Sequence, residues 1–296
     1  MLCHPISLIR EWWYKKQNHV LSEYTDKYIE YFNHLFARAA NTGGLEYLYT
    51  ILRVEGITSG HWDAFVESEE AVADFSKMLR KMGSGQEKRA LRTALFIYCH
   101  LTEMSAPYEI ICNLLRCCMN QSYKFYPFAH LVRVIKNNNG FDKRLLPYPS
   151  KKIAFIKELT AMSGEERLSQ IIEDFFSNDV RNAFYHSDYT ISEDEFRIID
   201  GAGPGGESIS LEKLSDMLAR CFAFYSAFFI VYKKVRKGLA AGDHFLLQNC
   251  QLRGKKLDFA LRKPFDSIEK YANCSTLLRD QDSNLEPSPY TYPKIT

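Results

Sequence analysis

The feature that most constrains the fold is an apolar repeat that begins at Leu211. Apolar residues return at alternating steps of three and four, at Leu211, Leu214, Leu218, Cys221, Tyr225, Phe228, Tyr232 and Val235. Such steps keep side chains on one face of an α-helix. Phe222, Phe224 and Phe229 widen that face, so the helix needs apolar cover on nearly every side. We predict the central helix of a bundle, or alternatively a helix that also joins a dimer interface.

Other apolar patterns predict the helices that would cover this one, and together they indicate an all-α fold. Ser22 is placed to cap a helix through Tyr28 and Leu35, which Asn41-Thr42-Gly43-Gly44 would end. Ser150 is placed to cap another from Lys151 to Met162. Further helices are expected at about 45–54, 62–81, 88–98, 107–118 and 164–176. The three cap-forming residues at 177–179 predict a separate short helix after them.

The charge balance excludes a global electrostatic attraction to nucleic acid. Lys and Arg number 38 against 36 Asp and Glu, which gives a formal net charge of +2. Any RNA contact must therefore come from a local basic patch. Lys88, Arg89 and Arg92 are one candidate, and an ordinary solvated helix face is the alternative. The eight cysteines lie largely within apolar patterns and lack zinc-site spacing, which predicts reduced thiols and no metal.

Export and membrane insertion are not expected. The N-terminal residues lack the charged region and the uninterrupted apolar region of a signal peptide. The most apolar run, Cys221 to Tyr232, is about 12 residues long, against the roughly 20 that a helix needs to cross a bilayer. We therefore expect a cytoplasmic protein without a membrane partner.

One short stretch carries most of the chemistry. Arg181, Asn182 and His186 place a permanent cation, an amide and a titratable imidazole within six residues. The planar fork of an arginine suits a phosphate, and histidine is the side chain whose unperturbed pKa lies near neutrality. The stretch thus combines a phosphate-binding group with a proton-transferring group.

The segment Arg181-Asn182-Ala183-Phe184-Tyr185-His186 resembles the signature of the HEPN superfamily, an arginine followed after four to six residues by a histidine at a helix end. The resemblance covers residues 178–189, and the long apolar helix that follows also fits. It implies an HEPN-like helical bundle. Many members are metal-independent ribonucleases of bacterial toxin–antitoxin, abortive-infection and CRISPR-type defence systems. It therefore implies RNA as a partner, an antitoxin or other defence protein as another, and no cofactor.

Helix geometry leaves two ways for Arg181 and His186 to act on one phosphate. In an ideal helix five residues turn the side chain through about 500°, so these two would point about 140° apart. Either the helix ends near Tyr185 and lets the histidine swing back, or two chains each contribute one motif. The resemblance implies the second arrangement, a composite site in a symmetric homodimer.

Four neighbouring residues complete the predicted site. Asn182 would hold the histidine or the phosphate by a hydrogen bond, Asp188 would orient the imidazole, and Tyr185 and Tyr189 would border the cleft. Together with the resemblance, the sequence predicts a metal-independent endoribonuclease acting on single-stranded RNA, with Arg181, His186 and Asn182 as its catalytic residues. Two alternatives stay open. One is a non-catalytic HEPN-like scaffold that binds a partner protein or a nucleotide, and the other is a helical protein whose motif is accidental.

After the motif the pattern changes from helical to alternating, which predicts a small β-hairpin. In the predicted register Tyr189 lies opposite Ile198 and Ile191 opposite Phe196, with Glu193-Asp194 as the turn. The hairpin would hold the end of the motif helix in place.

The segment Gly201-Ala202-Gly203-Pro204-Gly205-Gly206 matches the letters of the dinucleotide-binding fingerprint G-x-G-x-x-G. That fingerprint needs a buried parallel strand before it and a second strand with an acidic end about 20 residues later. Neither is predicted, because the preceding strand is amphipathic and one long helix follows. We interpret the segment as a flexible connector.

Composition divides the chain into four parts. We predict a helical region at 1–82, the HEPN-like domain at 83–240, an extension at 241–274 and a disordered tail at 275–296. Gly83-Ser84-Gly85 marks the first boundary. Two short runs flanking Arg253-Gly254-Lys255-Lys256 are a candidate hairpin, and the tail lacks apolar periodicity.

Overall fold

A computed structural model describes residues 5–53, 64–83, 85–136, 143–199, 206–241, 244–252 and 255–262. Within these ranges the chain is predominantly helical, which confirms the predicted class. The helices are α1 (Pro5–Leu52), α2 (Ala64–Lys81), α3 (Glu87–Glu103), α4 (Ser105–Cys118), α5 (Pro149–Ser163), α6 (Glu166–Phe175), α7 (Asn178–His186) and α8 (Leu211–Ala241). The strands are β1 (Arg133–Ile135), β2 (Lys143–Leu145), β3 (Tyr189–Ile191), β4 (Glu195–Ile198), β5 (Ser208–Ser210), β6 (His244–Leu252) and β7 (Lys255–Arg262).

Helix α8 is the central helix, as the apolar repeat predicts. Its repeat residues from Leu214 to Tyr232 are buried, and none of them exposes more than 2% of its surface. Helix α1 covers them, with the ring of Phe32 centred 5.2 Å from Phe224 and 5.5 Å from Phe228. Because this face is covered within the chain, it is not open to a second copy.

Helix α8 is longer than the apolar run from Cys221 to Tyr232, so the prediction that this segment is too short to span a membrane is wrong. The helix extends over 31 residues, because its few polar residues do not end it. In the described part of the chain, Leu211–Leu239 is long and apolar enough to span a bilayer by length and composition. Most of its apolar window is buried inside the protein, and the core helix of a soluble protein passes the same test.

Helix α1 confirms one predicted boundary and corrects another. Gly44 has non-helical angles (φ 50°, ψ −119°), so the helix kinks where the glycine pair predicted a break. Ser22 does not cap the helix, because the residues from Pro5 onward are already helical. The preference of serine for a cap position is local, and a longer helix overrides it. At Gly43 a Cβ atom would lie 2.7 Å from the Cβ of Cys117, so glycine lets α1 and α4 pack closely.

Helix α5 also begins before its predicted cap. Tyr148 occupies the cap position and Pro149 the first turn, where the missing N–H of proline costs no hydrogen bond, so Ser150 is not the cap. Gly164 has φ 72° and ends α5 instead of starting the next helix. Helix α6 accordingly begins at Glu166.

The predicted hairpin forms in the predicted register. Tyr189 pairs with Ile198 and Ile191 with Phe196, and Ser192 N–H donates to the Glu195 carbonyl across the turn at 3.0 Å. Strand β5, which was not predicted, adds antiparallel to β4 and makes a three-stranded sheet. The glycine-rich segment therefore links antiparallel neighbours, and the dinucleotide alternative is wrong. Residues 200–205 themselves lie outside the described ranges.

Two further hairpins lie between α4 and α5 and after α8. Strands β1 and β2 pair antiparallel and form the first, which was not predicted. Strands β6 and β7 pair around the predicted turn, with Leu252 opposite Lys255. The predicted tail at 275–296 lies outside the described ranges.

One hydrophobic core joins both sides of the boundary predicted at residue 83. It contains Phe32 and Phe65 from the first region, and Tyr98, Phe175 and Phe224 from the second. Among the described cysteines, Cys99, Cys112, Cys117 and Cys221 are buried free thiols, and Cys118 is half-buried.

Candidate functional site

The motif helix α7 begins at a side-chain cap and is anchored to α3. Ser177 Oγ accepts a hydrogen bond from the Val180 N–H at 3.2 Å. The Tyr98 hydroxyl on α3 accepts one from the Ser177 N–H at 2.9 Å, and lies within donating distance of the Phe175 and Ser177 carbonyls. Burial keeps the Tyr98 pKa well above its usual value, so this anchor stays neutral.

Helix α7 ends at His186, which confirms that the motif lies at the end of a short helix. Ser187 follows in the left-handed conformation (φ 63°), and the Asp188 N–H donates to the Ala183 carbonyl at 2.8 Å. The helix includes His186 and ends there, one residue past Tyr185. Ideal helix geometry over these five residues favours the arrangement in which two chains each contribute a motif.

Arg181 is held on three sides. Its guanidinium forms an ion pair with Glu103 at the end of α3, and its Nη1 donates to Asn182 Oδ1 at 2.8 Å. The guanidinium carbon also lies 5.4 Å from the centre of the Tyr185 ring. Asn182 therefore contacts the arginine and not the histidine, and Tyr185 is an exposed ring beside the guanidinium.

Two buried polar atoms at this end of α3 and α7 have no hydrogen bond. They are Arg181 Nε and His100 Nε2, and they are the two such side-chain atoms found among the described residues. Leaving a buried polar group unpaired costs about 1–3 kcal/mol, so native proteins normally supply a partner. His100 precedes Glu103 by three residues, which places both on neighbouring positions of one helix face. The polar atoms of this region are therefore left to be satisfied by water or by a ligand.

His186 is exposed on the last turn of α7. No hydrogen bond or ion pair to another described residue holds its imidazole. Asp188, also exposed, does not bond to it. Its backbone instead joins the helix end to the sheet, with the carbonyl accepting from the Ile199 N–H at 2.8 Å.

Tyr189 packs away from the motif's charged groups. Its ring stacks between Phe184 at 5.3 Å and Phe196 at 5.2 Å, against the edge of the core. The structure thus brings together Arg181, Asn182 and Tyr185, and leaves the other three predicted residues, His186, Asp188 and Tyr189, unconnected to them by hydrogen bonds within the described chain.

The cysteine beside the motif is not a nucleophile. Cys99 Sγ lies 4.0 Å from the Arg181 carbonyl oxygen, and burial raises the thiol pKa to about 12 although the Arg181 charge opposes the shift. At neutral pH almost none of it is thiolate, the reactive form. Burial likewise raises the pKa of Tyr185.

The contribution of α3 to the site was not predicted from the sequence. Tyr98, His100 and Glu103 come from the end of that helix, nearly 80 residues before the motif in the sequence. The available signal was weak: a histidine and a glutamate three residues apart, where the face of an otherwise apolar helix turns polar. The residues that the structure describes contain no group of three or more potential metal ligands.

Comparison of the chain with family models, with curated proteins and with solved structures gives no match. The site is therefore interpreted from its own geometry and from the motif.

Proposed function

We propose that the chain is a metal-independent endoribonuclease that cleaves single-stranded RNA, acting as a bacterial defence or toxin effector. One observation carries the proposal: a single nine-residue helix holds both an exposed imidazole and a partly exposed guanidinium. The imidazole is free to transfer protons, and the guanidinium can donate hydrogen bonds to a phosphate oxygen. These are the two groups that RNA transesterification needs most.

In the proposed reaction the ribose 2′-oxygen attacks the adjacent phosphorus while a neutral imidazole takes its proton. The bond from phosphorus to the 5′-oxygen then breaks, and that oxygen takes a proton from an acid. The products are a 2′,3′-cyclic phosphate and a free 5′-hydroxyl. Arg181 would stabilise the negative charge that grows on the phosphate oxygens.

The reaction needs a second proton-transferring group. The nearby His100 is half-buried and its Nε2 atom is shielded from solvent, so it is less suited to this role than the exposed His186. We therefore propose that a second copy contributes its own His186, so that the site is completed in a symmetric homodimer. This arrangement also removes the difficulty that Arg181 and His186 of one chain point apart.

A second candidate function rests on the Glu103–Arg181 ion pair. A guanidinium already neutralised by a carboxylate can serve to fasten α7 to α3. In that case the exposed surface around His186 and Tyr185 would bind a partner protein, such as an antitoxin, without catalysis.

The test is the cleavage of a labelled single-stranded RNA by the purified chain in EDTA. We expect cleavage that leaves 2′,3′-cyclic phosphate ends. His186→Ala should slow it by about 10²- to 10⁴-fold, the usual contribution of an acid–base group. Arg181→Lys should also lose cleavage activity, because the point charge of a lysine does not reproduce the bidentate fork of the arginine. His34→Ala, which removes an exposed imidazole on α1, is the matched control and should be neutral.

Loss of activity in EDTA, or full activity of a folded His186→Ala variant, would refute the ribonuclease proposal and favour the scaffold. Sedimentation velocity tests the dimer separately. A monomer at micromolar concentration that still cleaves RNA at the wild-type rate would refute the composite site alone.

A further inference from the structure

A strongly basic segment lies between α4 and α5, in a chain that is almost neutral. From Tyr123 to Lys157 the sequence contains eight lysines and arginines and one aspartate. The whole chain carries a formal charge of only +2, so positive charge is concentrated here. Such a local field attracts polyanions even when the net charge does not.

The structure places much of this charge on an exposed two-stranded ribbon. We define the basic ribbon as β1, β2 and Lys136. Arg133, Lys136 and Lys143 are exposed, and none of the three forms an ion pair with another residue in the described ranges. By contrast Lys157, outside the ribbon, is paired with Glu173 at 2.5 Å. These three cations are therefore available to an external anion.

Apolar and aromatic groups lie among these charges. Val134 and Ile135 are 52% and 49% exposed, and Tyr148 at the base of the ribbon is 63% exposed. Directly opposed residues share a face of an antiparallel pair, so Ile135 lies beside Lys143. Surfaces that bind single-stranded nucleic acid combine backbone-tracking cations with an aromatic ring on which a base stacks.

The base of the ribbon is fastened next to the candidate site. Lys152, just after the ribbon in α5, donates from Nζ to Ser105 Oγ at 2.7 Å. Ser105 is only two residues from Glu103, the ion-pair partner of Arg181. Two residues span at most roughly 7 Å, so the start of α5, which follows the ribbon, lies at the same end of α3 as the site.

We propose that the basic ribbon is an RNA-binding surface, which holds the backbone of a single-stranded RNA whose adjacent nucleotides lie at Arg181 and His186. Continuity with that site and the exposed tyrosine favour RNA over an anionic membrane, which the same charges would attract. The link between the ribbon and cleavage rests on the proposed function, but RNA binding by the ribbon is measured in an experiment that does not depend on cleavage.

The test compares two variants of equal charge in the full chain. Arg133→Gln, Lys136→Gln and Lys143→Gln together remove three of the ribbon's four positive charges. Lys27→Gln, Lys81→Gln and Lys213→Gln together remove three exposed charges elsewhere and serve as the control. Binding is measured by fluorescence anisotropy on a 2′-O-methyl RNA, which lacks the attacking hydroxyl, over a range of salt concentrations. Circular dichroism confirms that both variants are folded.

We expect the ribbon variant to bind about 100-fold more weakly than wild type near 0.1 M salt, because each lost phosphate contact removes about 0.7 from the slope of log affinity against log salt. The slope of log affinity against log salt should become shallower by about 2. The control variant should stay within a few-fold of wild type. Tyr148→Ala should weaken binding by a further 5-fold or more without changing the slope, because a stacked base carries no counterion.

Two results would overturn the inference. One is equal RNA affinity of the ribbon variant and the control variant, and the other is a ribbon variant that loses binding to phosphatidylserine vesicles but not to RNA. Cleavage of a dinucleotide, too short to reach the ribbon, separates this result from the proposed function. If dinucleotide cleavage is intact and the ribbon variant binds RNA normally, the ribbon proposal alone fails. If RNA binds through the ribbon but no dinucleotide is cleaved, the ribonuclease proposal alone fails.

Discussion

Replacing Glu103 by Gln tests whether Glu103 competes with RNA for Arg181. The carboxylate occupies the guanidinium that a phosphate would need, and this pairing also fastens α3 to α7. Glutamine keeps the shape of the side chain and removes its charge. We therefore expect two opposite effects, a less stable fold and a tighter complex with RNA.

The burial of the pair sets the size of both effects. Exposed ion pairs contribute about 0.2–1 kcal/mol, whereas removing one partner of a buried pair costs about 3–5 kcal/mol. The Arg181 side chain is 13% exposed and that of Glu103 is 36% exposed, so this pair lies between the two classes, at about 1–2 kcal/mol. Since 1.4 kcal/mol corresponds to a tenfold change, RNA should bind about 5- to 30-fold more tightly.

Two measurements check these values. Urea denaturation gives the loss of stability, and anisotropy with 2′-O-methyl RNA gives the change in affinity. Glu173→Gln is the matched control, because Glu173 also pairs with a cation but is 53% exposed and lies on α6. It should lower stability by less than about 1 kcal/mol and leave RNA binding unchanged.

An unchanged or weaker affinity for Glu103→Gln would refute the competition. Glu103 would then be a positioning residue that aims the arginine, and Glu103→Gln would lower kcat while KM stayed constant. Tighter binding with unchanged stability would show that the ion pair does not fasten the two helices.

Three further predictions follow from single contacts. Ser177→Ala should lower stability by about 1 kcal/mol by removing the cap of α7, while Ser177→Asp should keep it, as thermal melts will show. Burial lowers the pKa of Lys152 in the folded chain below its usual 10.5. At pH values between the folded and the unfolded pKa, the unfolded chain therefore binds more protons than the folded chain. The free energy of unfolding should therefore rise with pH across that window. Denaturant titrations of Lys152→Met should show no such rise. Because the Cys99 pKa is about 12, only about 10⁻⁴ of it is thiolate at pH 8, so mass spectrometry should find it unlabelled by iodoacetamide until the chain unfolds.

Local patterns in the sequence determined most of the secondary structure. The repeat from Leu211 identified the central helix, because periodic apolar residues form a helix face whatever lies around them. The alternation after His186 fixed the hairpin and its register, because the side-chain period of a strand is two and a slip would expose Phe196. The cap-forming residues at 177–179 likewise located the start of the motif helix, which Ser177 caps.

The contacts across the fold were decided only by the tertiary structure. Glu103, Tyr98 and His100 lie far from the motif in sequence, and no local pattern indicates that the end of α3 meets α7. The ribbon was missed for a similar reason: three-residue strands are too short to show a period, and only their pairing brings β1 and β2 together. Sequence thus located the arginine and the histidine, while packing determined that a carboxylate holds the first and that solvent surrounds the second.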